Sequence, residues 1–123
     1  MNSRLPFLTT LFLATLTSSL PVYAVEGTLT AKVSKTMVTG NATYGGCMAL
    51  LDKAINTAAN APNCPGNWVS FSCTGTYTSK DMAFHLLDQA QLALALNKQV
   101  TVIVNDTKKH NGNCFASRID VIK

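Results

Sequence analysis

The sequence predicts a mainly β domain with one helix, an α+β fold of five strands held by two disulfides. Three observations predict it. One stretch, Ser79 to Asn97, is long, apolar and free of Gly and Pro. The segments on either side are short, β-branched or alternating, and bounded by turn residues. Four cysteines, Cys47, Cys64, Cys73 and Cys114, all lie behind an apolar leader.

The leader is residues 1–24. Arg4 supplies a positive start, Leu5 to Leu20 is an apolar and hydroxyl run short for a membrane span, and Val22-Tyr23-Ala24 fits a small-residue cleavage site. It reads as a secretory signal peptide, with a retained anchor as the competing reading. Cleavage after Ala24 leaves one secreted domain, residues 25–123, with no membrane span. An even cysteine count behind an export signal implies disulfides and an oxidising compartment, the periplasm or the exterior. Zinc competes, but no pair of cysteines has the C-x-x-C spacing and His110 is the one histidine nearby, so no metal or other cofactor is expected. The formal charge of +4 is dispersed apart from Lys108-Lys109, unlike the clustered footprint of a nucleic-acid binder.

In chain order, Thr28 to Val38 alternates Leu29, Ala31 and Val33 against Thr28, Thr30 and Lys32, the pattern of a half-buried strand. Thr39 to Gly46 is dense in turn residues. Cys47 to Lys53 reads as a second strand, although Met48-Ala-Leu-Leu could also start a helix. Ile55 to Gly66 is a loop with a helical turn over Ala54 to Ala59. Asn67 to Thr76 reads as the third strand, from Trp68, Val69, Phe71 and Cys73. Thr78 with Asp81 has capping-box spacing for the helix, and Asn97-Lys98 stops it. Gln99 to Asn105 is a buried strand of β-branched residues. Asp106 to Asn113 reads as a polar loop with an Asn111-Gly112 turn, and Phe115 to Ile122 as the last strand. Five strands with one helix between the third and fourth is the element order of the OB-fold barrel, and a one-helix α+β sandwich is the competitor.

That topology constrains the cysteines. With Lys53 opposite Asn67, Cys47 falls opposite Cys73. A third strand parallel to the fifth brings Cys64 and Cys114 together at their starts. Of three possible connectivities, Cys47–Cys73 with Cys64–Cys114 is expected.

At 100° per residue, Met82, Ala83, Leu86, Leu87, Ala90, Ala93 and Leu94 share one helix arc able to cover the barrel. Phe84, Leu92 and Leu96 fall on the other side, among Asp81, His85, Asp88, Gln89 and Gln91. A second apolar patch of this kind marks self-association, unless the Asn56–Pro65 loop folds over it.

Leu87-Asp-Gln-Ala90, the apolar stretch after it, the polar break and the strand Gln99 to Val104 resemble the corresponding part of the B subunits of subtilase-cytotoxin-like and pertussis-like A-B toxins. The resemblance covers Ser79 to Val104, and more loosely the leader, the cysteine before the second strand and the element order. It implies a secreted OB-fold that assembles as a ring around its helices and binds cell-surface glycans. It also implies a pocket of hydroxyl side chains shortly before the second strand, matched here by Thr43 with Thr39 and Tyr44. The C-terminal half is similar to small uncharacterised secreted proteins of Gram-negative bacteria.

The remaining chemistry is sparse. There is no G-x-S-x-G, H-E-x-x-H or P-loop pattern. His85 and Asp88 share a helical face, which fits a surface pair better than an acid–base pair. Asp106, Lys108, Lys109, His110 and Asn111 are the densest polar cluster, in a connection that OB-folds use for ligands; a solvated turn is the plainer reading. Trp68 could stack on a sugar, although a lone Trp in a small domain is more often buried. Asn41-Ala-Thr43 and Asn105-Asp-Thr107 fit the N-glycosylation pattern, which is frequent by chance. The expectation is a non-catalytic secreted binding module, a glycan-binding oligomer, or in second place a monomeric periplasmic protein-binding or inhibitor-like factor.

Overall fold

The computed structural model describes residues 18–123. Most of the leader, residues 1–17, lies outside the described residues, and residues 18–25 carry no regular structure. The elements that follow are β1 (Glu26–Val38), β2 (Cys47–Leu51), β3 (Trp68–Ser70), α1 (Lys80–Ala95), β4 (Gln99–His110) and β5 (Asn113–Ile122), with 3-10 turns at Ala42–Tyr44 and Ile55–Thr57. The fold is mainly β with one helix.

The five strands close in the order β1-β2-β3-β5-β4. The long β1 makes closure possible by serving two neighbours. Its first half pairs with β4, from Glu26 opposite Asn105 to Lys32 opposite Gln99, and its second half pairs with β2, from Val33 opposite Leu51 to Val38 opposite Cys47. A register shift between Val33 and Lys35 bends the strand between the two halves. β3 runs parallel to β5 through Ser70 opposite Phe115.

Alternation sets the interior. Leu29, Ala31 and Val33 of β1 and Val100, Val102 and Val104 of β4 point inward with Cys47, Ala49 and Leu51 of β2. The helix adds Ala83, Leu86, Leu87, Ala90 and Ala93, and the three alanines among them are fully buried, which lets α1 lie close on the sheet. Met82 and Leu94, expected in the same arc and lying near the two ends of α1, are 50% and 38% exposed.

The ends of α1 are chemically defined. Its N-cap is Ser79 rather than Thr78, with Ser79 Oγ accepting from Met82 N–H, while Asp81 sits in the first turn. At the other end Asn97 takes φ +51°, Lys98 N–H donates to Ala93 O and Asn97 N–H to Leu94 O, the hydrogen-bond pair of a Schellman stop.

Three expectations change. β3 is three residues long instead of the Asn67–Thr76 run, because Ser72 takes φ +62° and turns the chain back. The Asp106–Asn113 stretch is not a loop. β4 continues to His110, with a register shift between Asn105 and Lys109, and the reversal is the tight Asn111-Gly112 turn. Finally, Leu50 faces Trp68, whereas Lys53 opposite Asn67 would have put it opposite Ser70. Cys47 therefore lies against Phe71, whose N–H donates to Cys47 O.

The disulfides are nevertheless Cys47–Cys73 and Cys64–Cys114, with Cα atoms 5.5 Å and 5.6 Å apart. The turn at Ser72 brings Cys73 back over Cys47. The Asn56–Pro65 loop does not cover the helix. It folds onto the start of β1, where Ala59 N–H donates to Thr28 O and Asn60 Nδ2 to Glu26 O. Gly27 permits that approach, since a Cβ there would stand 2.5 Å from Pro62 Cγ. Phe84, Leu92 and Leu96 are left 46%, 46% and 57% exposed.

Candidate functional site

The outer face of the β1–β2–β3 sheet carries its own apolar row. After the bend in β1, Met37 stands beside Met48 and Lys35 beside Leu50, and Leu50 in turn faces Trp68. Met48 is only 1% exposed yet stands apart from the interior cluster. It is the floor of a depression of about 290 Å³ lined by Met37, Tyr44, Met48, Trp68 and Asn113. Trp68 is half-buried there and takes no part in the interior cluster, contrary to the expectation for a lone Trp.

The turn before β2 holds Tyr44 over this floor. Thr39 N–H donates to Gly46 O and closes the turn. Asn41 N–H donates to Thr39 Oγ1, and Asn41 Oδ1 accepts from Thr43 N–H. The Thr39 hydroxyl is thus occupied within the turn, while Thr43 is exposed at its surface. Gly45 has φ +73°, and a Cβ on it would stand 2.5 Å from Ser70 Oγ and 2.6 Å from His110 Cδ2. Only glycine fits there, and Ser70 Oγ bonds Tyr44 O just behind the pocket.

The β4–β5 hairpin supplies the other wall. Asn113 donates from Nδ2 to His110 O at 3.3 Å and to Asn111 O at 3.4 Å, which leaves Oδ1 as an acceptor. Asn111 itself is a turn residue with φ +49°. His110 is buried, its ring centroid 4.8 Å from that of Tyr77 and its Nε2 3.1 Å from Ser72 Oγ. Burial holds its pKa below the usual histidine value.

The rest of the predicted polar cluster goes elsewhere. Asp106 accepts from Val25 N–H at 2.8 Å and from Asn63 N–H at 3.2 Å. The Val25 hydrogen bond is the main reason its carboxyl titrates below the usual range, with Asn63 and the Lys109 charge adding to it against some desolvation. Lys109 Nζ donates to Asn63 O, and Lys108 Nζ lies 6.0 Å from the Phe115 ring centre. Asp106 and Lys109 tie Val25, just before β1, and the Asn63 loop to β4. Of the predicted binding residues, Tyr44 alone lines the depression. Thr39 and Thr43 lie in the turn beside it, His110 and Asn111 in the hairpin whose Asn113 supplies the wall, and Asp106, Lys108 and Lys109 lie outside it.

Met37, Met48 and Asn113 were not singled out from the sequence. The first two read as ordinary strand residues: the bend at Val33/Lys35 turns Met37 to the outer face, and alternation along β2 puts Met48 opposite it. His85 and Asp88 are both exposed, with no hydrogen bond or ion pair between them among the described residues. No group of three potential metal ligands occurs among the described residues, and no helix there is long and apolar enough to cross a membrane. Two disulfides fit an extracytoplasmic protein. No protein-family model, curated protein or solved structure matches this chain.

Proposed function

We propose that the chain is an exported, non-catalytic binding module on an OB-fold barrel, periplasmic or secreted, that takes a glycan and associates with copies of itself through α1. The observation that carries the reading is the depression in which half-buried Trp68 and 36%-exposed Tyr44 share one wall system with an amide. Aromatic faces suit the apolar side of a sugar ring, and a few placed polar groups orient it. The strand order, with β3 parallel to β5 and the helix between β3 and β4, supports the OB-fold assignment. So does the resemblance of Ser79–Val104 to toxin B subunits. A non-catalytic role is favoured because His110 is buried against Ser72 and His85 bonds no acid among the described residues.

A second reading, a monomeric periplasmic protein-binding or inhibitor-like factor, is favoured by the exposed Phe84, Leu92 and Leu96 if their partner is a different protein. A glycan array probed with the oxidised domain, residues 25–123, tests the first reading. Reproducible binding to a related set of glycans, abolished by Trp68→Ala in a folded variant, supports it. A blank array turns the search to protein partners.

A further inference from the structure

Resting on the glycan reading, we infer that the Tyr44–Trp68 depression is built for the acetamido group of a neutral sugar. The size of the site sets the first limit. At about 290 Å³ it lies at the bottom of the range for small-molecule pockets, room for one ring or one substituent and not for an oligosaccharide.

The lining sets the second limit. Met37, Met48 and Trp68 form an apolar bed, and thioethers adapt closely to a methyl group. Two polar side chains face that bed. Asn113 uses its Nδ2 hydrogens on His110 O and Asn111 O and keeps Oδ1 as an acceptor. The Tyr44 hydroxyl makes no hydrogen bond among the described residues, and it can donate. One acceptor, one donor and an apolar bed are the complement of a secondary amide ending in a methyl group: N–H to Asn113, C=O from Tyr44, CH₃ on the methionines and Trp68. A plain hexose brings hydroxyls around its whole rim, and two polar side chains would leave most of them unpaired.

Charge sets the third limit. No Lys or Arg lines the depression: Lys109 is held by Asn63 O, and Lys35, exposed on the same face beside Leu50, stays outside the lining. A carboxylate seated inside the depression would be desolvated with no cation in the lining.

The chain's one tryptophan is Trp68, so fluorescence excited at the red edge of indole absorption, where Tyr23, Tyr44 and Tyr77 do not absorb, reports on this site alone. Four probes are titrated into the oxidised 25–123 domain: the methyl glycosides of N-acetylglucosamine and of glucose, N-acetylneuraminic acid, and N-acetylalanine methylamide. The expected result is a saturable change in emission with the acetamido sugar and none with the other three. Tyr44→Phe and Asn113→Ala should each weaken it about fivefold to tenfold, as for one hydrogen bond. Tyr44→Phe removes a single hydroxyl and keeps the inference testable if Asn113→Ala disturbs the hairpin. Equal response to the glucoside overturns the acetamido inference and leaves the glycan reading standing. Tighter binding of the neuraminic acid overturns the neutral-sugar inference. An equal response to the peptide amide overturns the sugar and favours the protein-binding reading. Silence with all four overturns this site, and only a blank glycan array as well overturns the glycan reading.

Discussion

Ser72 Oγ and His110 Nε2 lie 3.1 Å apart in the interior, joining the turn that ends β3 to the last residue of β4. Tyr77 N–H also donates to Ser72 Oγ, and the Tyr77 ring packs against the imidazole. No carboxylate bonds to His110 among the described residues, so a proton on it would be a buried charge without a counter-ion. Its pKa is accordingly lowered by burial. The folded state then binds fewer protons than the unfolded state below the ordinary value of 6.5, and stability falls with acidification from that point down to the folded pKa. Melting temperature measured from pH 8 to pH 5 should drop below about pH 6.5. His110→Gln, which keeps an amide for Ser72, should flatten that part of the slope.

Ser72 can be tested by two substitutions that separate its backbone from its hydroxyl. It is fully buried at φ +62° and serves both Tyr77 and His110. Ser72→Ala should cost about 1–3 kcal/mol, the cost of leaving buried polar groups unpaired. Ser72→Gly loses the same bonds but relaxes the left-handed backbone, and should be about 1 kcal/mol milder. Urea denaturation of both variants gives the difference. A glycine variant no better than the alanine one would show that the positive φ carries no cost here.

Gly45 links stability to the candidate site. Alanine there meets both an unfavourable φ of +73° and a Cβ contact of 2.5 Å with Ser70 Oγ. Gly45→Ala should therefore lose about 1–3 kcal/mol. Because Tyr44 is the preceding residue, the emission of Trp68 should shift even without a ligand, which separates this effect from general loosening.

The two disulfides should differ in the direction that loop length dictates. Cys64–Cys114 spans 50 residues and Cys47–Cys73 spans 26. Replacing either pair by alanines should cost about 2–5 kcal/mol, and the longer loop about 0.6 kcal/mol more in the chain-entropy picture. Denaturation of the two double variants measures the order. The reverse order would place the stabilisation in native packing rather than in the unfolded chain.

The elements visible in the sequence are those whose side chains repeat. The alternation of Leu29, Ala31 and Val33, the β-branched run Val100–Val104 and the Gly-free helix each show one buried face. Element ends set by the backbone are hidden. Ser72 at positive φ shortens β3, and polar Lys108-Lys109-His110 reads as a loop although pairing resumes at Lys109 after the register shift. The cysteine pairs survived a register two residues out because a side-chain bridge needs only Cα atoms near 5.5 Å, which the Ser72 turn supplies. Tyr44 stood out as a turn aromatic. Met37 and Met48 did not, since the bend in β1 turns Met37 outward and the pairing then sets it beside the outward Met48.

Leu92 decides the assembly question. It is 46% exposed one helical turn from Leu96, and the loop that could have covered both is bound to β1 and Asp106 instead. If this face meets a second copy, light scattering after size exclusion should find the oxidised domain as a discrete oligomer. Leu92→Asp should then give folded monomers with an unchanged circular dichroism spectrum. That substitution also places a like charge one turn from Asp88, costing about 0.2–0.5 kcal/mol within the helix. Leu92→Lys reverses that local sign, since a lysine four residues after Asp88 attracts it, yet it still desolvates a charge at the interface. Both variants as monomers locate the contact on this face. Dissociation by Leu92→Asp alone would point to the helix itself, and a wild-type monomer would leave α1 free for a partner of a different kind.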